Sequence, residues 1–78
     1  MIIKVIQRHI KNGVRLNPFS CPIALALREK LNSYHIKVDK DECVIDTLVY
    51  KLPRFAQHFI KKFDDGKKVK PFNFKLDY

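Results

Sequence analysis

Tryptophan is absent from this 78-residue chain, and glycine and cysteine occur twice each. So few glycines, with only four prolines, argue against a disordered chain, and no segment is of low complexity; apolar content is that of an ordinary globular domain. Two cysteines 22 positions apart, Cys21 and Cys43, fit no zinc spacing, and His9, His35 and His58 form no paired ligand pattern. No metal site and no cofactor are therefore expected. Long hydrophobic runs are missing too. The longest stretch without a charge, Leu16 to Leu27, is broken by Asn17, Pro18, Ser20 and Pro22, which rules it out as a bilayer span. The start, Met-Ile-Ile-Lys-Val-Ile, lacks the basic and small-residue flanks of a signal peptide. The expectation is one soluble, cytoplasmic domain over residues 1–78 with no membrane partner. A chain this short buries roughly 60–65% of its unfolded surface, enough to fold alone with little stability to spare.

Acidic residues are scarce and sorted. Lys and Arg number 16 against 8 Asp and Glu, a formal net charge of +8. Residues 1–38 carry seven basic side chains and one acid, Glu29. Residues 39–50 invert the sign, with Asp39, Asp41, Glu42 and Asp46 against Lys40 alone, and residues 51–78 return to eight basic against three acidic. Two basic ends around an acidic middle give a surface dipole able to meet an anionic partner.

Hydrophobic periodicity sets out the elements. Ile2 to Ile6 is β-branched apart from Lys4 and reads as a central strand. Gln7 to Asn12 reads as a short helix or turn stopped by Gly13 as a left-handed cap. Ser20 to Asn32 is a helix capped by Ser20 or Cys21, with Pro22 in its first turn and Ile23, Ala24, Leu27 and Leu31 on one face. Tyr34, Ile36 and Val38 alternate with His35 and Lys37 as a half-buried strand. Residues 43–51 are either one bulged strand or a hairpin around Asp46-Thr47, which lacks the Asn-Gly or Asp-Gly of a tight turn. Pro53 to Asp65 is a second long helix, ended by Gly66, with Phe55, Phe59 and Phe63 sharing an inward face with Ala56 and Ile60. Phe72, Phe74, Leu76 and Tyr78 alternate with polar residues as a strand that closes the sheet. These elements predict an α+β fold. Two helices pack on one face of a mainly antiparallel sheet of four to five strands, in two layers.

The landmarks resemble a set of small bacteriophage and bacterial proteins of unassigned activity. The matching residues are His9-Ile10 with Gly13, Cys21-Pro22-Ile23-Ala24-Leu25-Ala26-Leu27, Leu52-Pro53-Arg54, Phe59-Ile60, Phe63-Asp64 with Gly66, and Pro71-Phe72, which cover most of the chain. Asp46-Thr47 departs from the Asp-Gly hairpin such proteins often show. The resemblance implies a phage or prophage accessory protein and brings no catalytic residue with it.

The residues that turning the phenylalanines inward would push outward are basic. Arg54, His58, Lys61 and Lys62 on the second long helix, continued by Lys67, Lys68 and Lys70, form a face able to track a phosphate backbone. Arg8, Lys11 and Arg15 are the fallback. On this pattern the phenylalanines belong to the core, and Tyr34, Tyr50 and Tyr78 are the candidates for base stacking. Asp39, Asp41, Glu42 and Asp46 form a secondary acidic patch without the ligand order or central glycine of a calcium loop. It suits docking on a basic protein surface. Cys21, ahead of a helix, is either a buried structural thiol or an activated one. The expectation is a non-enzymatic protein that binds nucleic acid through the Lys/Arg face. The alternative is an inhibitor, of the kind phages use, that binds a host or defence protein complex. Monomer and homodimer both remain open.

Overall fold

The computed structural model describes residues 1–33 and 35–78. The elements run β1 (Ile2–Val5), α1 (Gln7–Asn12), α2 (Pro22–Leu31), β2 (Ile36–Val38), β3 (Glu42–Ile45), β4 (Leu48–Lys51), α3 (Arg54–Asp64) and β5 (Phe72–Lys75). The α+β class stands, and every strand pairing is antiparallel. Among the described residues the five strands divide into a two-stranded ribbon, β1–β5, and a three-stranded sheet, β2–β3–β4. β1 therefore has one neighbour and is not central. Its pattern explains this: Ile3 and Val5 are buried while Ile2 and Lys4 face out, so only one of its faces has a core to meet. The ribbon is extended past its strands by Leu76 N–H to Met1 O (2.8 Å) and by the Met1 ammonium to Leu76 O (3.0 Å). Tyr50 of β4 meets Tyr78, three residues past β5, with ring centroids 5.5 Å apart.

Residues 43–51 form a hairpin. Register Ile45↔Leu48 leaves Asp46 and Thr47 as a two-residue loop. Asp46 supplies the positive φ (57°) that such turns need at their first central position, a conformation Asp tolerates better than most residues. Its N–H donates to His35 O at 2.8 Å. The strand assignment of Tyr34 lies outside the described residues.

Helix α2 starts at Pro22, where a missing N–H costs nothing. Cys21 caps it, with Sγ accepting from Ala24 N–H at 3.5 Å. Asn32 ends it in the left-handed region (φ 52°). Helix α2 packs on both β1 and β2, which ties the two sheets together under one helix. Gly13 follows α1, but its φ of −69° is not left-handed. Glycine is required there by space: a Cβ would stand 2.7 Å from Pro22 Cγ and Cδ, so the chain can lie against the start of α2 only without one.

One hydrophobic core serves all these elements. Ile3, Val5, Ile23, Leu27, Ile36, Ile45, Leu52, Ala56, Phe59, Phe74 and Leu76 are buried in it. Both cysteines are free and buried. Burial raises both thiols above their ordinary pKa, Cys43 to about 11 with help from the charge of Glu42. Cys21 accepts bonds from Ala24 and Ile23 that pull the other way, and burial outweighs them. A raised pKa leaves little thiolate at neutral pH, which together with its burial favours the structural reading of Cys21.

Candidate functional site

Helix α3 turns Ala56, Phe59 and Ile60 into the core and leaves Phe63 half-buried. Phe55, expected beside them, is 52% exposed. At 3.6 residues per turn, Phe55 points about 90° away from the centre of that buried arc. Its neighbours around the helix are His58 and Lys62, so it flanks the core instead of entering it.

Phe55 is nonetheless held in place. Its ring meets Phe72 of β5 edge to face, with centroids 5.8 Å apart and planes at 79°. Phe72 lies 4.5 Å from Phe59 and 5.7 Å from Phe74. The exposed ring is thus the outer end of an aromatic chain rooted in the core. Beside it runs a groove of about 490 Å³, bounded by Phe55, His58, Phe59 and Lys62 on α3 and by Lys68 to Phe72 on the extended segment before and into β5. Segment 67–71 is led back along the helix by the turn at Asp65-Gly66, where Gly66 takes φ 77° and Lys67 N–H donates to Lys62 O at 2.9 Å. No carboxylate lines the groove. Four other surface clefts each include at least one: Glu29, Asp39 with Asp64, Asp41 with Asp77, or Asp41 with Glu42.

The basic face therefore divides. His58, Lys62, Lys68 and Lys70 converge on the groove. Arg54 lies round the helix, in a cleft with Asp41, Lys51, Lys75 and Asp77. Lys61 pairs with Asp65 at 3.4 Å, one turn on. Lys67 is exposed but does not line the groove. The acidic patch divides as well: Asp39, Asp41 and Glu42 sit at the β2–β3 turn, and Asp46 at the opposite end of β3, where it accepts from Ser33 Oγ at 3.1 Å.

Two of the fallback cations are already engaged. Arg15 donates through Nε and Nη2 to Asp64 O (3.1 and 3.0 Å), capping the C-terminus of α3. The same Asp64 accepts Leu16 N–H through Oδ1 at 2.9 Å and so holds Leu16 at a positive φ of 59°. Arg8 forms a bidentate pair with Glu29, at 2.9 and 3.0 Å.

The Arg8–Glu29 pair extends into a network that the sequence reading missed. His9, 4% exposed, accepts Ile6 N–H on Nδ1 at 3.1 Å, which leaves Nε2 to donate to Glu29 Oε2 at 3.0 Å. Glu29 thereby joins α1 to α2. The available signal was its position as the one acid among residues 1–38. Hydrogen bonds from Arg8 and then His9 lower the Glu29 carboxyl from 4.5 to about 2. A depressed carboxylate pKa stabilises the fold above the unfolded value and loses that effect as pH falls toward the folded one. Wild type should therefore be more stable than Glu29→Gln at pH 6, and the gap should close between about pH 4.5 and about pH 2. Urea melts of both proteins at pH 6, 4 and 2.5 check this; a gap that stays constant with pH would mean the pair contributes only packing.

Among the described residues no cluster of three or more His, Cys, Asp or Glu side chains could hold a metal ion, and no helix is long and apolar enough to cross a membrane. No family model, curated protein or solved structure matches this chain.

Proposed function

We propose that this is a small non-enzymatic protein that binds nucleic acid through the groove between α3 and residues 68–72. One observation carries the reading: Lys62, Lys68, Lys70 and His58 share a concave surface with no carboxylate on it. Most of this surface's charge is free to act outward, unlike that of Arg8 and Lys61, which is met by neighbouring acids. Lysines gathered in this way neutralise backbone phosphates and release the counterions bound there. The net charge of +8 adds long-range attraction for such a partner. The resemblance to phage and bacterial proteins supports an accessory role for a phage or prophage inside the host cell.

The test is salt dependence. Labelled single-stranded and duplex oligonucleotides, followed by fluorescence anisotropy, should be bound at about 50 mM salt. Three neutralised phosphates on a single strand give a log–log slope of about −2, hence a loss of roughly tenfold or more by about 200 mM. Absence of binding to either oligonucleotide at low salt would contradict the proposal and leave the inhibitor of a protein complex as the reading to pursue.

A further inference from the structure

A groove that only counted phosphates would have no use for an exposed aromatic ring. Phe55 stands 52% exposed at the edge of this one. Its orientation is fixed by Phe72, and through Phe72 by Phe59 and Phe74. Phe72 takes one side of the ring, and with half of the residue exposed the remainder is open to a flat partner. Lysines flank it on both banks, Lys62 beside His58 on the helix and Lys68 and Lys70 on the extended segment. At about 490 Å³ the space falls in the range that takes a small ligand, a single nucleotide among them. In a duplex the faces of the bases are covered by their neighbours, so a ring at this place would meet only backbone. In a single strand each base presents a π-face, and aromatic side chains among cations are the usual means of holding it.

We infer that the groove takes single-stranded nucleic acid, with one unpaired base stacked on Phe55 and the adjoining phosphates held by Lys62, Lys68 and Lys70. This rests on the nucleic-acid reading above and narrows it to one form of the ligand. The contact is with base face and phosphate, which DNA and RNA share, so both are arms of the test.

The chain contains no tryptophan, so Phe55→Trp places a single indole at the proposed stacking position. Its emission should be quenched by oligo-dT, oligo-rU or both. Quenching should saturate at the concentration where anisotropy of the labelled strand saturates, and a duplex of the same length should quench little. Phe55→Ala should weaken single-strand binding by about tenfold, within the range found for lost base–aromatic stacks. Its salt slope should match wild type, because no charge has been removed. If Phe55→Trp binds strands without quenching, if Phe55→Ala binds as wild type does, or if only the duplex is bound, the stacking inference is overturned and the nucleic-acid reading stands. If wild type binds neither single strand nor duplex at low salt, both fall. Circular dichroism on each variant separates loss of binding from loss of fold.

Discussion

Replacing Phe59 by alanine is expected to remove most of the stability of this protein. The ring is 7% exposed at the middle of α3 and touches Phe72 at 4.5 Å and Phe63 at 6.3 Å, measured between centroids. Truncating a buried phenylalanine costs about 3–5 kcal/mol, part of it lost transfer energy and part the cavity left behind. A 78-residue domain has roughly 4–12 kcal/mol in total. For a domain of this size each kcal/mol shifts Tm by about 4–8 °C, so a fall of at least about 12 °C is expected. The effect should reach function as well, because Phe59 supports Phe72, and Phe72 supports Phe55. Thermal unfolding followed by circular dichroism checks it. A Tm within a degree or two of wild type would mean that α3 does not present this face to the core.

Reversing the charge of the groove should be the largest functional effect. Lys62→Glu with Lys68→Glu would replace the two proposed phosphate contacts by two repulsions, in a surface where no carboxylate now stands. Affinity for a single strand at low salt should drop by well over tenfold, and the salt slope should flatten as contacts are lost. Both positions are exposed, where substitutions usually change stability by less than about 0.5 kcal/mol. Lys62 also lies in the last turn of α3, where a cation favours the helix dipole by about 0.3–1 kcal/mol, so a small fall in Tm is expected too. Arg54→Glu with Lys61→Glu makes the same change in net charge outside the groove. Screening over a Debye length of about 10 Å should hold its effect to about two- to threefold. Titration of both double variants against one labelled strand decides between them. Equal losses would mean that overall charge, and not this groove, attracts the ligand.

The elements were largely legible because their signals are local. Pro22, Cys21 and Asn32 bracket α2 with an N-terminal proline, a cap and a left-handed end, and each acts within one turn. The alternation of Phe74 and Leu76 with Asn73 and Lys75 marks β5 in the same way. What could not be read is set by contacts distant in sequence. The split into two sheets depends on β1 finding β5 across the whole chain. The hairpin at Asp46-Thr47 depends on Asp46 accepting a positive φ, which its sequence signal only permits. Gly13 looks like a helix cap, yet its role is the close approach of Pro22.

The candidate site was half legible. The inward turn of Phe59 forces a basic outer surface on α3, and that logic located His58 and Lys62. Assigning Phe55 to the same inward arc hid the feature that gives the groove its character. A helical wheel puts Phe55 next to His58 and Lys62 at the boundary between the buried and charged arcs. Whether a boundary residue is covered depends on what packs beside it. Here the segment before β5 brings Lys68 and Lys70 to that boundary and leaves the ring open. The tyrosines favoured for stacking are otherwise used where described: Tyr50 and Tyr78 lie against each other.

The central claim is that nucleic acid lies in the groove between α3 and residues 68–72. The most direct measurement is amide chemical-shift mapping of the isotope-labelled 9.2 kDa protein during titration with a short single strand at low salt. The expected result is a contiguous set of shifts at Phe55, His58, Lys62, Lys68, Val69, Lys70 and Phe72, reduced when salt is raised. Shifts centred instead on Arg8, Arg15 and Arg28, or spread evenly over every lysine, would contradict it.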